Sequence, residues 1–341
     1  MRIGIVGAGA MGGLLAVRLA LSDQTVTVID RGAHLRAMQE RGLKLVHADG
    51  SEETATNLRA VGSCAEAGKQ DLVFLAVKAN QIAPLAPQLS ELFDDDTAVV
   101  PVQNGLPWWY FENFNGPHRG YRMRTADPDG IIATHLAPAR IVGCVVYPAG
   151  ELIAPGVVKH VEGDRLPIGE LDGTETERAK RISEALTNAG LKAPILPDIR
   201  SEIWLKLWGN LSFNPISALT HATLVDVCQD PTTRELAGDM MREAQAIGEK
   251  LGATFRVPLE KRIAGAEKVG KHKTSTLQDV EAGRAIEIDA LIGSVKELGE
   301  LTGVATPHID AVYALMTLLA KTMETEHAKV VLEPVRDEVA A

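Results

Sequence analysis

Cysteine is scarce in this 341-residue chain: Cys64, Cys144 and Cys228 are far apart and odd in number, which argues against a disulfide framework. Long apolar runs are missing too. No window approaches the ~18 uninterrupted apolar residues of a membrane span. The first residues read as a strand rather than a basic segment followed by a signal-peptide core. No membrane partner is expected, and the expected address is cytoplasmic. Base is in deficit, 35 Lys and Arg against 45 Asp and Glu, a net charge of −10. Loose nucleic-acid binding needs a basic surface and is not expected. The nine histidines are scattered without paired metal spacing, so no metal is expected. Aromatics make up 4%, and four of them stand together in Pro107-Trp-Trp-Tyr-Phe111. No internal repeat or low-complexity tract is present. Against these absences, 45% hydrophobic and 23% charged residues are those of an ordinary globular protein. The length allows two domains at about 150 residues each.

The most informative stretch is the start. Ile3 to Val6 form a short apolar run suited to a buried parallel strand. Gly7, Gly9 and Gly12 follow in G-x-G-x-x-G spacing, and Leu14, Leu15, Val17, Leu19 and Ala20 read as a helix. In such a turn the first glycine permits the bend and the second lets the backbone approach a pyrophosphate. The third lets helix and strand pack closely. The helix then points its free amides and positive dipole end at the phosphates. A second apolar run, Val26 to Ile29, ends in Asp30, 23 positions after Gly7 and near the place of a ribose-binding carboxylate. These features together predict dinucleotide binding.

Further along, Ala33 to Arg41 reads as a helix ended by Gly42. Leu43 to Val46 and Thr54 to Val61, flanking Ala48-Asp49-Gly50-Ser51, read as a hairpin-like insertion. Asp71 to Val77 and Thr97 to Val102 read as strands around a helix from Ala83 to Leu92. Lys78-Ala-Asn-Gln81 and Gln103-Asn-Gly105 lie at their carboxyl ends, where ligands of a doubly wound α/β sheet gather. Ile131 to Ile168 is strand-rich, Glu175 to Ala189 helical, and Lys192 to Leu196 a last strand. Beyond Pro197 the pattern becomes all-helical: Ile199 to Phe213, Pro231 to Leu251, Leu277 to Thr302 and His308 to Thr325. The expected domains are 1–197 for dinucleotide binding and 198–327 for substrate binding and dimerisation, with a flexible tail at 328–341.

Two clusters in the helical part can carry chemistry. Lys206, Asn210 and Asn214 recur every four positions and share one helix face. That face is either a solvated one ended by Asn214-Pro215, or a polar face whose members need partners. The other cluster runs from His272 through Ser275 and Asp279 to Glu287 and Asp289. Isoleucines flank Glu287, making it the best candidate for a partly buried carboxylate, although acids on an amphipathic helix ordinarily face water.

Taken in order, the glycine turn, Val77-Lys-Ala79 with Gln81, Gln103-Asn-Gly105, Lys206/Asn210/Asn214-Pro215 and Ser275…Leu277-Gln-Asp…Glu287-Ile-Asp resemble the ketopantoate reductase (2-dehydropantoate 2-reductase) family, from Met1 to about Met323. The resemblance implies a Rossmann-type sheet followed by an all-helical domain of the 6-phosphogluconate-dehydrogenase-like kind. It implies reduction of a 2-keto acid, most simply 2-dehydropantoate to (R)-pantoate in pantothenate biosynthesis, with a nicotinamide cofactor. Lys206 would be the general acid, its ammonium form destabilised in a closing cleft. Glu287 would hold a substrate hydroxyl, Asn210 and Asn214 would orient the substrate, and Ser275 would bind its carboxylate. Asn104 would touch both cofactor and substrate. Gly7, Gly9, Ala10, Met11, Gly12, Asp30, Arg31, Lys78 and Gln81 would line the cofactor site.

Three features depart from the family pattern. Family members usually take NADPH through an arginine where Arg31 stands, but Asp30 precedes it; a carboxylate there favours NADH. His272 and Leu224 stand where better-known members carry asparagine. The run Trp108 to Phe111 reads as packing at a domain or homodimer interface, or as a wall admitting a bulkier 2-keto acid. An NAD-dependent (R)-2-hydroxyacid dehydrogenase acting on a D-mandelate-like substrate is therefore the alternative reading. A non-catalytic dinucleotide-binding protein is the third.

Overall fold

The computed structural model describes residues 1–333, so the later part of the expected tail lies outside the described residues. The chain forms two compact units, Met1–Ile203 and a second that begins at Trp204.

In chain order the first unit holds β1 (Arg2–Val6), α1 (Ala10–Leu21), β2 (Thr25–Ile29), α2 (Gly32–Arg41), β3 (Leu43–Val46), β4 (Glu52–Ala55), β5 (Arg59–Val61) and α3 (Cys64–Ala67). It continues with β6 (Gln70–Leu75), α4 (Ile82–Leu89), β7 (Phe93–Pro101), α5 (Ile131–His135), β8 (Val142–Cys144), β9 (Ala149–Ala154), β10 (Val157–Glu162), β11 (Ile168–Glu170) and α6 (Glu177–Asn188). Five strands in the order β5-β2-β1-β6-β7 form a wholly parallel sheet. Its strands are apolar runs rather than alternating ones because both faces are covered. Ile3, Ile5, Val26, Val28, Leu72 and Phe74 pack with Leu14, Leu15, Val17 and Leu19 of α1 in one core. Two smaller sheets, β4-β3-β10-β9 and β11-β8, complete the unit.

At the crossing of α1 and β1 there is no room for a side chain. A Cβ on Gly12 would stand 1.8 Å from the Gly7 carbonyl oxygen and 2.9 Å from Ala76 Cβ. One on Gly13 would stand 2.5 Å from Val158 Cγ1's sister methyl, Cγ2, in β10. Gly7 itself takes φ +90°, a region open to glycine but strained for other residues.

Three expectations need correction here. The hairpin exists, with Leu43 opposite Ala55, but its second arm stops at Ala55. Asn57 donates from Nδ2 to the Ala20 carbonyl at 2.8 Å, and Arg59–Val61 leaves to pair in parallel with β2. Lys192 to Leu196 makes only isolated bridges, Arg165 to Lys192 and Ile168 to Ile195, because Pro194 has no amide to continue a ladder. The aromatic run is interior. Trp109, Tyr110 and Phe111 are 2%, 0% and 0% exposed. The Phe111 ring lies edge-on to Tyr110, Phe114 and Tyr121 at 4.9, 5.0 and 5.4 Å. Arg200 donates to the carbonyls of Tyr110, Leu171 and Glu112. Burial lowers its pKa from the ordinary arginine value. The run is buried within the single chain, not an exposed patch for a dimer partner.

The helices from α7 onward are α7 (Ile199–Thr220), α8 (Leu224–Gln229), α9 (Pro231–Lys250), α10 (Leu259–Lys268), α11 (Ser275–Ala282), α12 (Ser294–Thr302) and α13 (Pro307–Thr325), with a π-helical turn at Asp289–Gly293. The helix expected to end at Asn214-Pro215 instead runs through Pro215 to Thr220. Pro215 removes one amide from the ladder, and the burial of its neighbours offsets that loss. The single helix expected from Leu277 to Thr302 is broken, because Gly283 at φ +66° caps α11 in the left-handed conformation. In the second unit, Trp208 donates to the Met241 carbonyl at 2.6 Å and packs against the Phe255 ring, centroids 4.6 Å apart and planes tilted by 48°. Glu243 of α9 accepts from the amides of His308 and Ile309, each at 3.0 Å, capping the start of α13. Among the described residues, no helix is long and apolar enough to cross a membrane.

The Gly12 contact makes a prediction. Gly12→Ala drives a methyl group into the Gly7 carbonyl and should lower unfolding stability by about 2–3 kcal/mol. Chemical denaturation measures this, and an unshifted midpoint would show that the crossing is not as tight as described.

Candidate active site

In the first unit the candidate residues follow the carboxyl ends of neighbouring parallel strands. Gly7 follows β1, Asp30 follows β2, Lys78 follows β6 and Asn104 follows β7. Between Gly7 and α1, Gly9 is the position that faces open space, with no atom within 4 Å of a Cβ built there. A helix leaves its first amides without intrahelical partners. An open turn at that end is a cradle for a pyrophosphate, and the residues present fit a dinucleotide cofactor. Ala10 and Met11, both half-buried, form the first turn of α1.

Asp30 does more than the spacing implied. Its Oδ2 accepts from the Ala8 amide and its Oδ1 from the Arg31 amide, each at 2.6 Å. The carboxylate therefore ties the glycine turn to the start of α2 while retaining acceptor sites for a ribose hydroxyl. Arg31 is exposed beside it. The amide of Lys78 donates to Gln81 Oε1 at 3.3 Å across a single helical turn, which holds the two residues together. Gln103, to which the sequence reading assigned no role, donates from Nε2 to the carbonyls of Leu75 and Val77 at 2.7 and 2.8 Å. It braces the end of β6 against the segment that carries Asn104. Nothing in its spacing marks that role.

In the second unit, α7 answers the question its polar face raised. From Ser201 to Ala218 every residue is buried except Lys206 and Asn210. The face is not a solvated one: two polar side chains have solvent access on an otherwise enclosed helix, and Asn214 one turn on is buried. Asn214 Nδ2 approaches Ser275 Oγ at 3.4 Å, so the structure brings these two candidates together. Ser275 is exposed in the first turn of α11, whose N-cap Thr274 accepts from the Leu277 amide. His272 and Leu224 are also neighbours, through the Leu224 amide and the His272 carbonyl at 2.9 Å. Glu287 is half-buried just before the π-helical turn, a feature frequent at functional sites. Tyr313 donates to Asp289 at 2.9 Å and anchors that turn, and burial raises the pKa of its phenol. Two thiols are disfavoured as nucleophiles: burial pushes Cys228 up to about 11 and raises Cys64 as well.

The two glycines at the helix start make separable predictions. Gly9→Ala has room for its methyl group and a negative φ of −59°, so it should fold with a nearly unchanged denaturation midpoint. Its methyl group occupies the cradle and should weaken NAD(P)H binding about tenfold or more. Fluorescence titration of the reduced dinucleotide reads this, and unchanged binding would place the phosphates elsewhere.

Comparison with known proteins agrees with this geometry. The profile described as "Ketopantoate reductase PanE/ApbA" matches residues 3–108, and "Ketopantoate reductase PanE/ApbA C terminal" matches residues 198–320. The chain is 52% identical to a 2-dehydropantoate 2-reductase of Mesorhizobium japonicum over 94% of its own length and 98% of the relative's. A crystal structure from Ralstonia solanacearum MolK2, named provisionally as a ketopantoate reductase, superposes with a TM-score of 0.90 at 40% identity, covering 95% of this chain and 98% of that one. D-mandelate dehydrogenase with NADH and anilino(oxo)acetate superposes with a TM-score of 0.81 at 24% identity, covering 95% and 99%, a likeness of fold alone. With both halves of the family pattern present and a relative at this identity over nearly its whole length, the chain belongs to the ketopantoate reductase family.

Proposed function

We propose that this chain reduces 2-dehydropantoate to (R)-pantoate with a nicotinamide cofactor, a step of pantothenate biosynthesis carried out in the cytoplasm, where such cofactors are held. The observation that carries the reading is the solvent access of Lys206 and Asn210 on an otherwise buried helix of a family member. When bound, a reduced nicotinamide supplies hydride to the keto carbon. Lys206 donates a proton to the keto oxygen, and its positive charge stabilises the alkoxide developing there. Asn210 and Asn214 orient the carbonyl, Ser275 takes the substrate carboxylate and Glu287 accepts from a substrate hydroxyl. The approach of Asn214 to Ser275 supports their acting on one small molecule. Asn104, Lys78 and Gln81 line the cofactor side. In this division of labour residues 1–197 serve the cofactor and 198–327 the substrate.

For the cofactor we infer a tilt toward NADH. Asp30 is held rigidly by two backbone amides, and a fixed negative charge at the ribose end opposes a 2′-phosphate. Arg31 pulls the other way. The bulky-substrate alternative loses its main support with the aromatic run, which is buried. A non-catalytic role is disfavoured by the intact set Lys206, Asn210, Ser275 and Glu287.

Lys206→Ala should lower kcat by about 10² or more while leaving dinucleotide affinity unchanged; an unchanged kcat would remove Lys206 from the mechanism. Asp30→Asn keeps one amide acceptor and removes the charge. It should raise the ratio of kcat/KM for NADPH over NADH about tenfold, and an unmoved ratio would assign selection to Arg31. Steady-state rates with 2-dehydropantoate and phenylglyoxylate test the substrate. A higher kcat/KM for 2-dehydropantoate is expected, and the reverse order would favour the bulkier substrate.

A further inference from the structure

Ala8, in the middle of the glycine turn, is held on both sides, through the peptide group before it and the one after it. Its amide donates to Asp30 Oδ2 at 2.6 Å, and its carbonyl lies 2.8 Å from His34 Nε2. His34 stands in the first turn of α2 and is 8% exposed. Its other ring nitrogen, Nδ1, receives the Gly156 amide at 2.8 Å. An amide can only donate, so Nδ1 is the acceptor and Nε2 carries the ring proton, which then points at the Ala8 carbonyl. Gly156 is itself fixed. It takes φ +77° at the turn between β9 and β10, and its carbonyl accepts from the Lys44 amide at 2.9 Å. One directional chain thus runs from the Gly156 amide through the imidazole to the Ala8–Gly9 peptide, while Asp30 separately holds the Gly7–Ala8 peptide before it.

We propose that His34 is a positioning residue for the dinucleotide, acting through Ala8: it sets the plane of the peptide that precedes Gly9 and so presents the turn to the pyrophosphate. The inference rests on the reading of this turn as the cofactor cradle. Its chemistry needs the neutral Nε2–H tautomer, because only that form satisfies both neighbours. Side chains that replace one nitrogen at a time separate the two bonds. His34→Gln places a donor at the reach of Nε2, His34→Asn places an acceptor at the reach of Nδ1, and His34→Leu provides neither.

Titration of each variant with NADH and NADPH, followed by dinucleotide fluorescence, reads affinity directly. Thermal unfolding without cofactor reads stability. Affinity should fall about three- to tenfold in His34→Asn and His34→Leu and stay near wild type in His34→Gln. Equal affinity in all variants, with only the unfolding temperature lowered, overturns the proposal and leaves His34 a packing residue. Weak binding by His34→Gln beside normal binding by His34→Asn overturns the route through Ala8. Should His34→Leu fail to fold, the Gln and Asn pair still decides. A wild-type chain that binds neither dinucleotide overturns the cradle reading and this inference with it. Long-range proton–nitrogen correlation NMR gives an independent check: the Nε2–H tautomer is expected, and an Nδ1–H ring contradicts the chain of bonds.

Discussion

No side chain fits where α1 crosses β1. At Gly12 even a methyl group would meet the Gly7 carbonyl, and that exclusion brings the start of a helix directly over the end of a central strand. The remaining features of the turn follow from it. Gly7 adopts a backbone angle that favours glycine, and Gly9 is left facing open space. The intervening Ala8 is held by Asp30 on one side and His34 on the other. An anion-binding helix end works only if its amides are already aimed before the anion arrives. In the proposed reading close packing supplies that aim here, and hydrogen bonds to Asp30, just after β2, and to His34 of α2 maintain it.

The helical unit meets a different demand by a similar economy. The general acid proposed on α7 needs access to its substrate, yet the helix that carries it must be firmly packed. In α7 the apolar positions and even Ser212, Asn214 and Ser217 are enclosed, while Lys206 and Asn210 alone reach outward between Ser201 and Ala218. Trp204 and Trp208 of the same helix are locked against Phe255. The packing of these neighbours restricts where Lys206 can place its ammonium group, which is what the proposed proton donor requires.

How much of this was legible beforehand depended on whether the deciding interaction was local. The glycine turn was readable because its three constraints lie within six residues. Lys206, Asn210 and Asn214 were readable as one face because helical periodicity is local, but whether that face was wet or enclosed was not, since burial depends on distant segments. Asn57 ends the hairpin arm by bonding to Ala20, 37 residues earlier, and no turn propensity reports that. Pro215 looked like a stop and is not one, because its buried surroundings outweigh one lost amide. Gly283, inside an amphipathic pattern, does break its helix through its left-handed cap. That the aromatic run is buried within the single chain was not legible, because composition carries no information on what a segment packs against. His34, Gln103 and the backbone work of Asp30 escaped notice for the same reason: their partners are main-chain groups, which leave no trace in side-chain identity.

On the proposed reading, hydride passes directly from the nicotinamide of a dinucleotide whose pyrophosphate sits at the glycine turn to the keto carbon of a 2-keto acid. Reduction of 2-dehydropantoate with nicotinamide dinucleotide deuterated at C4 on the transferred face tests it. The account predicts one deuterium at C2 of the pantoate formed for each dinucleotide oxidised, with none exchanged into water. Unlabelled pantoate, or oxidation of the dinucleotide without reduction of the keto acid, would contradict it.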